Sequence, residues 1–323
     1  MDLSALKEIF ENYLHQQIDH KQPVNLYRPI QYTLENGGKR IRPILVLLAA
    51  KSFGVDLEKA LPAAAAIEIF HNFTLLHDDI MDDAPLRRGK PTVHQKWDEN
   101  TAILSGDTML ILAYKMLEAY EGVTYKQLNM LLNKTAVEVC EGQQMDMDFE
   151  ERDFVPIDEY IEMIRLKTAV LLGAALKFGG IIAQVPPKQL SAISRFGEKL
   201  GLAFQIQDDY LDSFGDMTSF GKRIGGDILD RKKTFLYLTA LSAASPDDRQ
   251  KLLNLYSQKS PDNQNLIAEV MAIFKKYAID KVAQKAIETY TGEALEALEK
   301  TGLTDGQKDF WSGFATELMN RAV

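Results

Sequence analysis

Apolar residues recur at three- and four-residue steps through most of the chain, the spacing of one buried face on an α-helix. Leu3, Leu6, Ile9, Phe10, Tyr13 and Leu14 form one such stripe. Leu128, Leu131, Leu132, Thr135 and Val139 form another, which runs on to a turn at Gly142. Towards the C-terminus, Leu252, Leu253, Leu255 and Tyr256, then Ile267, Val270, Met271, Phe274 and Tyr277, keep the same period. Few windows alternate apolar and polar residues for long enough to predict strands. Breaks are predicted at Asn36–Gly38, Phe53–Val55, Ala84–Pro91, Phe149–Pro156, Gln184–Lys188, Ser213–Gly226, Ala244–Asp248 and Ser260–Asn263. Ser245-Pro246-Asp247 and Ser260-Pro261-Asp262 read as helix N-caps with proline in the first turn. No repeat or low-complexity linker divides the sequence. The expectation is an all-α protein, a single domain over residues 1–323 with roughly ten or more helices.

Composition narrows the function. The 323 residues carry 37 Lys and Arg against 46 Asp and Glu, a net charge of −9. That balance argues against a broad surface for nucleic acid or anionic membrane. The longest apolar stretch, Ala169–Val185, contains Lys177 and several glycines and falls short of the roughly 18 uncharged apolar residues of a membrane span. The N-terminus lacks the apolar core of a signal peptide. One cysteine, Cys140, excludes an internal disulfide and fits a reducing compartment. The expectation is a cytoplasmic protein with no nucleic acid partner and no stable membrane insertion.

The chemistry lies in a motif that occurs twice. Asp78-Asp79-Ile80-Met81-Asp82 and Asp208-Asp209-Tyr210-Leu211-Asp212 both read Asp-Asp-x-x-Asp. With 25 aspartates in the chain, chance supplies roughly 0.15 such matches. Each follows a helix-periodic apolar run, so the carboxylates at i and i+4 stack on one flank. Like charges so placed repel and call for a cation. Hard oxygen donors without cysteine or convergent histidine point to Mg²⁺ completed by water and phosphate. For a single copy, a solvated acidic helix end is the plainer reading; two copies favour a metal–diphosphate site.

Basic clusters supply the complement. Gly37-Gly38-Lys39-Arg40-Ile41-Arg42-Pro43 combines close backbone approach with three cations, and Arg87-Arg88-Gly89-Lys90 follows the first aspartates directly. Lys167-Thr168, Lys222-Arg223 and Lys232-Lys233-Thr234 add more. In an acidic chain, such clusters suggest bound diphosphates, one bridged by metal and one held by the cations directly.

Together these segments resemble the trans-isoprenyl diphosphate synthases, the polyprenyl synthetases. The resemblance runs from Gly38–Pro43 through His71, Leu75–Asp82, Arg87–Thr92, Glu141-Gly142-Gln143, Lys167-Thr168-Ala169 and Phe204–Asp212 to Gly221-Lys222 and Gly225–Thr234. It implies a helical bundle around a deep apolar cavity, usually a homodimer, with Mg²⁺ as cofactor and isopentenyl and allylic diphosphates as substrates. Asp78 and Asp82 would be metal ligands with Asp79 supporting them, and Asp208 and Asp212 would serve the second motif. Arg87, Lys167, Thr168, Gln205, Lys222 and Lys232 would contact the allylic substrate. Lys39, Arg42, His71 and Arg88, with the Gly38 backbone, would bind isopentenyl diphosphate. The catalytic set implied is Asp78, Asp82, Asp208, Lys167, Arg87 and Lys222, and the two acidic helix ends would clamp one ion–diphosphate cluster.

Product length in such enzymes depends on bulk before the first motif. On a helical wheel Thr74 lies about 40° from Asp78, Phe70 about 80° and Phe73 about 140°. Small Thr74 leaves space, and Phe70 fits a floor roughly 12 Å below; the role of Phe73 rests on the resemblance, and both aromatics equally fit a plain core. The expected product has twenty carbons, with fifteen next. Rival readings are a class I terpene cyclase, a non-catalytic subunit of a heteromeric synthase, and a His-Asp metal phosphohydrolase suggested by His77-Asp78. The second Asp-Asp-x-x-Asp and the intact basic motifs favour condensation over all three.

Overall fold

A computed structural model describes residues 3–18, 21–215, 225–257 and 263–319. The elements are α1 (Leu3–Ile18), α2 (Val24–Glu35), α3 (Ile41–Ser52), α4 (Leu57–Met81), a hairpin of β1 (Leu86–Arg87) and β2 (Lys90–Pro91), α5 (Val93–Lys96), α6 (Glu99–Met116) and α7 (Gly122–Glu151). They continue with α8 (Ile157–Ile164), a π-helical turn (Arg165–Ala169), α9 (Val170–Ile182), α10 (Pro187–Phe214), α11 (Gly226–Leu229), α12 (Phe235–Ala243), α13 (Pro246–Ser257), α14 (Asn263–Lys276), α15 (Ile279–Leu298) and α16 (Asp305–Met319). The all-α expectation holds, and the one sheet among the described residues is the two-stranded hairpin.

The chain gathers into two compact units. The first comprises Met1–Lys134 and Ala174–Ser191, and α4 is its centre. Ala60, Ala63, Ala64, Ala65 and Ala66 are all buried, so small side chains let α3 and α6 pack closely on α4. On α1, Leu6, Phe10, Leu14 and Ile18 are buried at four-residue steps, while Ile9 of the predicted stripe is exposed.

The second unit comprises Thr135–Gly173 and Ala192–Val323. Its core joins Tyr160, Met163 and Ile164 of α8, Ile206 of α10, Phe235, Tyr237 and Leu241 of α12, and Val270 and Phe274 of α14. Each large apolar side chain so buried contributes on the order of 1.5–3 kcal/mol relative to exposure.

Most predicted breaks fall between helices, where glycine or proline interrupts the ladder. The turn expected at Gly142 does not exist: α7 runs unbroken from Gly122 to Glu151. A lone glycine lowers helix propensity by about 1 kcal/mol, too little to stop a thirty-residue helix with a packed face. Ser245 caps α13 as expected, its hydroxyl 3.4 Å from the Asp248 N–H. The cap predicted at Ser260-Pro261-Asp262 lies outside the described residues.

Candidate active site

Helix α4 carries the first aspartate motif in its last turns. Asp78 is half-buried, Asp79 is buried, and Asp82 is the exposed C-cap residue, its N–H donating to the Asp78 carbonyl at 2.9 Å. Carboxylates at a helix C-terminus face the negative end of the macrodipole, an arrangement that needs positive charge nearby. Asp79 receives it from the hairpin: Arg87 Nε donates to its Oδ1 at 2.7 Å. Burial raises the Asp79 pKa, and the Arg87 charge and hydrogen bond oppose that rise.

The basic loop between α2 and α3 belongs to the same unit. Gly38 adopts φ 128°, a conformation closed to other residues, and the Arg88 guanidinium lies 2.8 Å from where a β-carbon would sit. Arg88 in turn donates to the Gly37 carbonyl. Arg42 Nη1 lies 3.0 Å from His71 Nε2. Burial, then Arg42, Arg88, Arg87 and Arg40, hold the His71 pKa well below 6.5, so its Nε2 accepts from Arg42. Burial also lowers the Arg42 pKa to about 10, which leaves it charged at neutral pH. Among the described residues, Arg42 Nε is a buried donor without a hydrogen-bond partner, as suits a site for an anion. Lys39 is exposed at the same loop.

Arg40, the cation between Lys39 and Arg42, points elsewhere. It is 5 % exposed and bonds Glu68 at 2.6 Å, Glu11 at 3.4 Å and the Leu34 carbonyl. Asn72 also donates to Glu68 Oε1, at 3.0 Å. This buried ion pair fastens the loop to α4; from sequence alone Arg40 could not be told from its basic neighbours.

A pH dependence follows from His71. The folded chain keeps this ring neutral at pH values where an unfolded histidine takes up a proton. The unfolded state then binds more protons, and stability falls as pH drops through 6.5, by up to about 1.4 kcal/mol per pH unit from this residue. Urea unfolding between pH 5 and 8 should show a slope that His71→Asn reduces.

The second motif ends α10, in the other unit. Asp208 is half-buried; Asp209 and Asp212 are buried. Asp209 Oδ2 accepts from the Tyr160 hydroxyl at 2.5 Å and the Phe235 N–H at 3.1 Å, and Oδ1 accepts from Gln205 Nε2 at 3.3 Å. Burial pushes its pKa up to about 7, against the pull of these donors. Asp212 Oδ2 accepts from the Asp227 N–H at 3.0 Å, so the motif also caps α11.

Lys167 and Thr168 occupy the π-helical turn. Lys167 Nζ donates to Asp146 at 2.6 Å, and Thr168 Oγ1 donates to Gln205 Oε1 at 3.2 Å. Gly142 explains why the turn fits: a β-carbon there would lie 2.4 Å from the Lys167 backbone nitrogen. The glycine misread as a turn is the contact that seats the Lys167 backbone. Lys232 is exposed with its Nζ 3.8 Å from Asp227, and Lys222 lies outside the described residues.

The residues expected to set product length are divided between two faces of α4. Phe70 and Phe73 are buried with ring centroids 5.7 Å apart, and Phe73 meets His77 edge-on at 4.8 Å. His77 Nε2 lies 3.2 Å from the Ile103 carbonyl, so this aromatic column faces α6. Thr74 is half-buried and donates to the His71 carbonyl at 2.8 Å. Sequence reasoning missed Tyr160 and Glu68, since neither stands in a motif and only burial reveals its partner.

Both units are helical, each carries an acidic helix end, and the first carries an arginine-lined loop. The sequence profile of the family described as Polyprenyl synthetase matches residues 23–274, and the chain belongs to that family. It is therefore a trans-prenyltransferase. It is 38% identical over 307 residues to the short chain isoprenyl diphosphate synthase of Methanothermobacter thermautotrophicus, covering 95% of this chain and 94% of that one. A crystal structure of a geranylgeranyl pyrophosphate synthase, at 45% identity, matches with TM-score 0.95 over the full length of both chains. The geranylgeranyl pyrophosphate synthase of Corynebacterium glutamicum, solved with isoprenyl diphosphate and magnesium, is 26% identical with TM-score 0.88, covering 99% of this chain and 100% of that one.

Proposed function

We propose that this protein condenses an allylic diphosphate with isopentenyl diphosphate to a short trans-prenyl diphosphate, twenty carbons preferred over fifteen. The observation that carries this reading is the repeated helix end at which the middle aspartate is tied into the fold. Asp79 is held by Arg87, and Asp209 by Tyr160, Phe235 and Gln205. By their i, i+4 spacing, Asp78 with Asp82 and Asp208 with Asp212 are the pairs suited to a cation, Asp212 also accepting the Asp227 N–H.

Mg²⁺ fits this donor set. The donors are hard carboxylate oxygens. That suits an ion which takes few protein ligands and fills its shell with phosphate and water. Asp78 and Asp82 would hold it at the first motif, with Asp79 in support, and Asp208 and Asp212 at the second. When bound, Mg²⁺ offsets the negative charge that grows on the allylic diphosphate. The magnesium and isoprenyl diphosphate of the Corynebacterium relative support the assignment.

Arg87, Lys167, Thr168, Gln205, Lys222 and Lys232 bind and orient the allylic diphosphate. As its carbon–oxygen bond breaks, the electron pair leaves on the diphosphate, and the charges of Arg87, Lys167, Lys222 and Lys232 stabilise it. Lys39, Arg42, His71 and Arg88, with the Gly38 backbone, hold isopentenyl diphosphate so that its double bond attacks the allylic cation. The adduct loses a proton to the released diphosphate, which gives a chain five carbons longer. Apolar helices exclude the water that would quench the cation.

One synthetase domain over residues 1–323 and a homodimer complete the proposal. Leu104 and Ile111 on α6, and Val123, Met130 and Val137 on α7, recur every seven residues and are 58–71% exposed, a face that a second copy would cover. No helix among the described residues is long and apolar enough to cross a membrane, and the single cysteine suits the reducing cytoplasm.

The test is incubation with radiolabelled isopentenyl diphosphate and ten- or fifteen-carbon primers, with and without Mg²⁺, followed by chromatography of the dephosphorylated products. Linear elongation that stops on chelation is expected. Cyclised hydrocarbon or bare hydrolysis would overturn the reading. In the same assay Phe70→Ala or Phe73→Ala should lengthen the product by one or more five-carbon steps; an unchanged distribution from both removes the aromatic column from length control.

A further inference from the structure

Four side chains of the second unit form an open run of three hydrogen bonds, which the backbones of their two helical segments close into a ring. Tyr160 and Thr168 belong to the continuous helical run of α8 and the π-turn, while Gln205 and Asp209 stand one turn apart on α10. Tyr160 donates to Asp209, Gln205 donates to Asp209, and Thr168 donates to Gln205. Asp209 and Tyr160 are each 4% exposed. A carboxylate has room for about four donors, and Asp209 already accepts three, the third from the first residue of α12. It therefore holds three segments together and is not arranged to ligate a cation.

The ring also fixes its members' directions. Gln205 gives one amide N–H to Asp209 and its oxygen to Thr168, so the amide cannot flip without losing both bonds. Its second N–H is then aimed by the scaffold. Lys167, adjacent to Thr168, is carried on the same turn. Tyr160 lies seven residues before Lys167 and ahead of the π-turn, where no motif drew attention to it.

We propose that Tyr160 is a positioning residue for the second diphosphate half-site, acting through Asp209 to set Gln205, Thr168 and the flanking carboxylates of Asp208 and Asp212. The inference rests on the prenyl-transfer reading above and deepens it. Groups that orient ligating side chains typically change metal affinity or activity by about 10- to 100-fold when removed, and Tyr160→Phe removes one donor with almost no change in shape.

The experiment compares wild type, Tyr160→Phe and Asp209→Asn. Asp209→Asn retains an oxygen for Tyr160 and Phe235 but turns an amide towards the Gln205 amide, so it breaks the ring at a different bond. Each protein is assayed for kcat, for the KM of both substrates and for the Mg²⁺ concentration giving half-maximal rate. Thermal midpoints are recorded alone and with Mg²⁺ plus inorganic diphosphate. Expected for Tyr160→Phe is a kcat about 10- to 100-fold lower, a raised Mg²⁺ requirement and an unchanged KM for isopentenyl diphosphate. The unliganded midpoint stays within a few degrees of wild type, and the upward shift with Mg²⁺ and diphosphate shrinks. Asp209→Asn should follow the same pattern, and the double variant should be no worse than the poorer single one. Wild-type kcat and Mg²⁺ dependence in either single variant would overturn the proposal. So would a lower unliganded midpoint with both KM values raised together, the signature of a merely structural role. Failure of the wild type itself to elongate would instead bring down the prenyl-transfer reading and this inference with it.

Discussion

Replacing Asp208 or Asp78 by alanine is expected to lower chain elongation by about a thousand-fold or more, with the helical circular dichroism spectrum unchanged. The expectation comes from where the carboxylates sit. Both motifs lie near helix C-termini, against the negative end of the macrodipole, so their concentration there costs stability in the unliganded fold. Each variant removes part of that repulsion and with it the grip on a cation opposite a leaving diphosphate. Stability should therefore hold or rise slightly while turnover collapses. Radiometric elongation rates and thermal midpoints of both variants check this, and near-normal elongation by either would contradict the metal assignment.

The second large effect concerns stability. Arg40→Ala is expected to destabilise the protein by about 3–5 kcal/mol, measured as a lower denaturation midpoint in urea. The guanidinium is nearly inaccessible and bonds Glu68, itself 3% exposed. Removing it strands a buried carboxylate and a backbone carbonyl. Replacing both partners by apolar residues, Arg40→Met with Glu68→Leu, should recover most of the loss, since no unpaired charge then remains. A phosphate-binding role for Arg40 predicts the reverse: weakened substrate binding and little change in midpoint.

Arg40 shows where the sequence stops being legible. Within Gly37–Pro43, composition gives a run of cations next to glycines, and nothing in the letters separates a cation facing Glu68 from one facing His71. That distinction is made by the left-handed backbone at Arg40, φ 52°, which follows the two glycines and turns the side chain inward. The aspartates are the opposite case. Their four-residue spacing is itself the geometry of a helix flank, so the proposed pairing of Asp78 with Asp82 comes directly from the letters. The helices were legible for the same reason, since a period of 3.6 is written into side-chain chemistry. Gly142 was not, because a glycine that ends a helix and one that admits a neighbouring backbone look alike without the neighbour. The hairpin at Leu86–Pro91 is too short to leave an alternating pattern, and Tyr160 is one tyrosine among 12 until its hydroxyl meets Asp209.

The π-helical turn makes residue count, as well as residue identity, a determinant of this enzyme. One surplus residue is accommodated between Arg165 and Ala169, so deleting any single position there would let the backbone relax into a regular α-helix. The helix downstream would keep close to its present face relative to Tyr160, because the wide turn already absorbs the surplus residue, but the bulge that presents Lys167 and Thr168 would be lost. No point substitution in Lys167 or Thr168 does that. A one-residue deletion across this turn should thus spare the fold and still cost activity, even where it removes nothing with chemistry of its own.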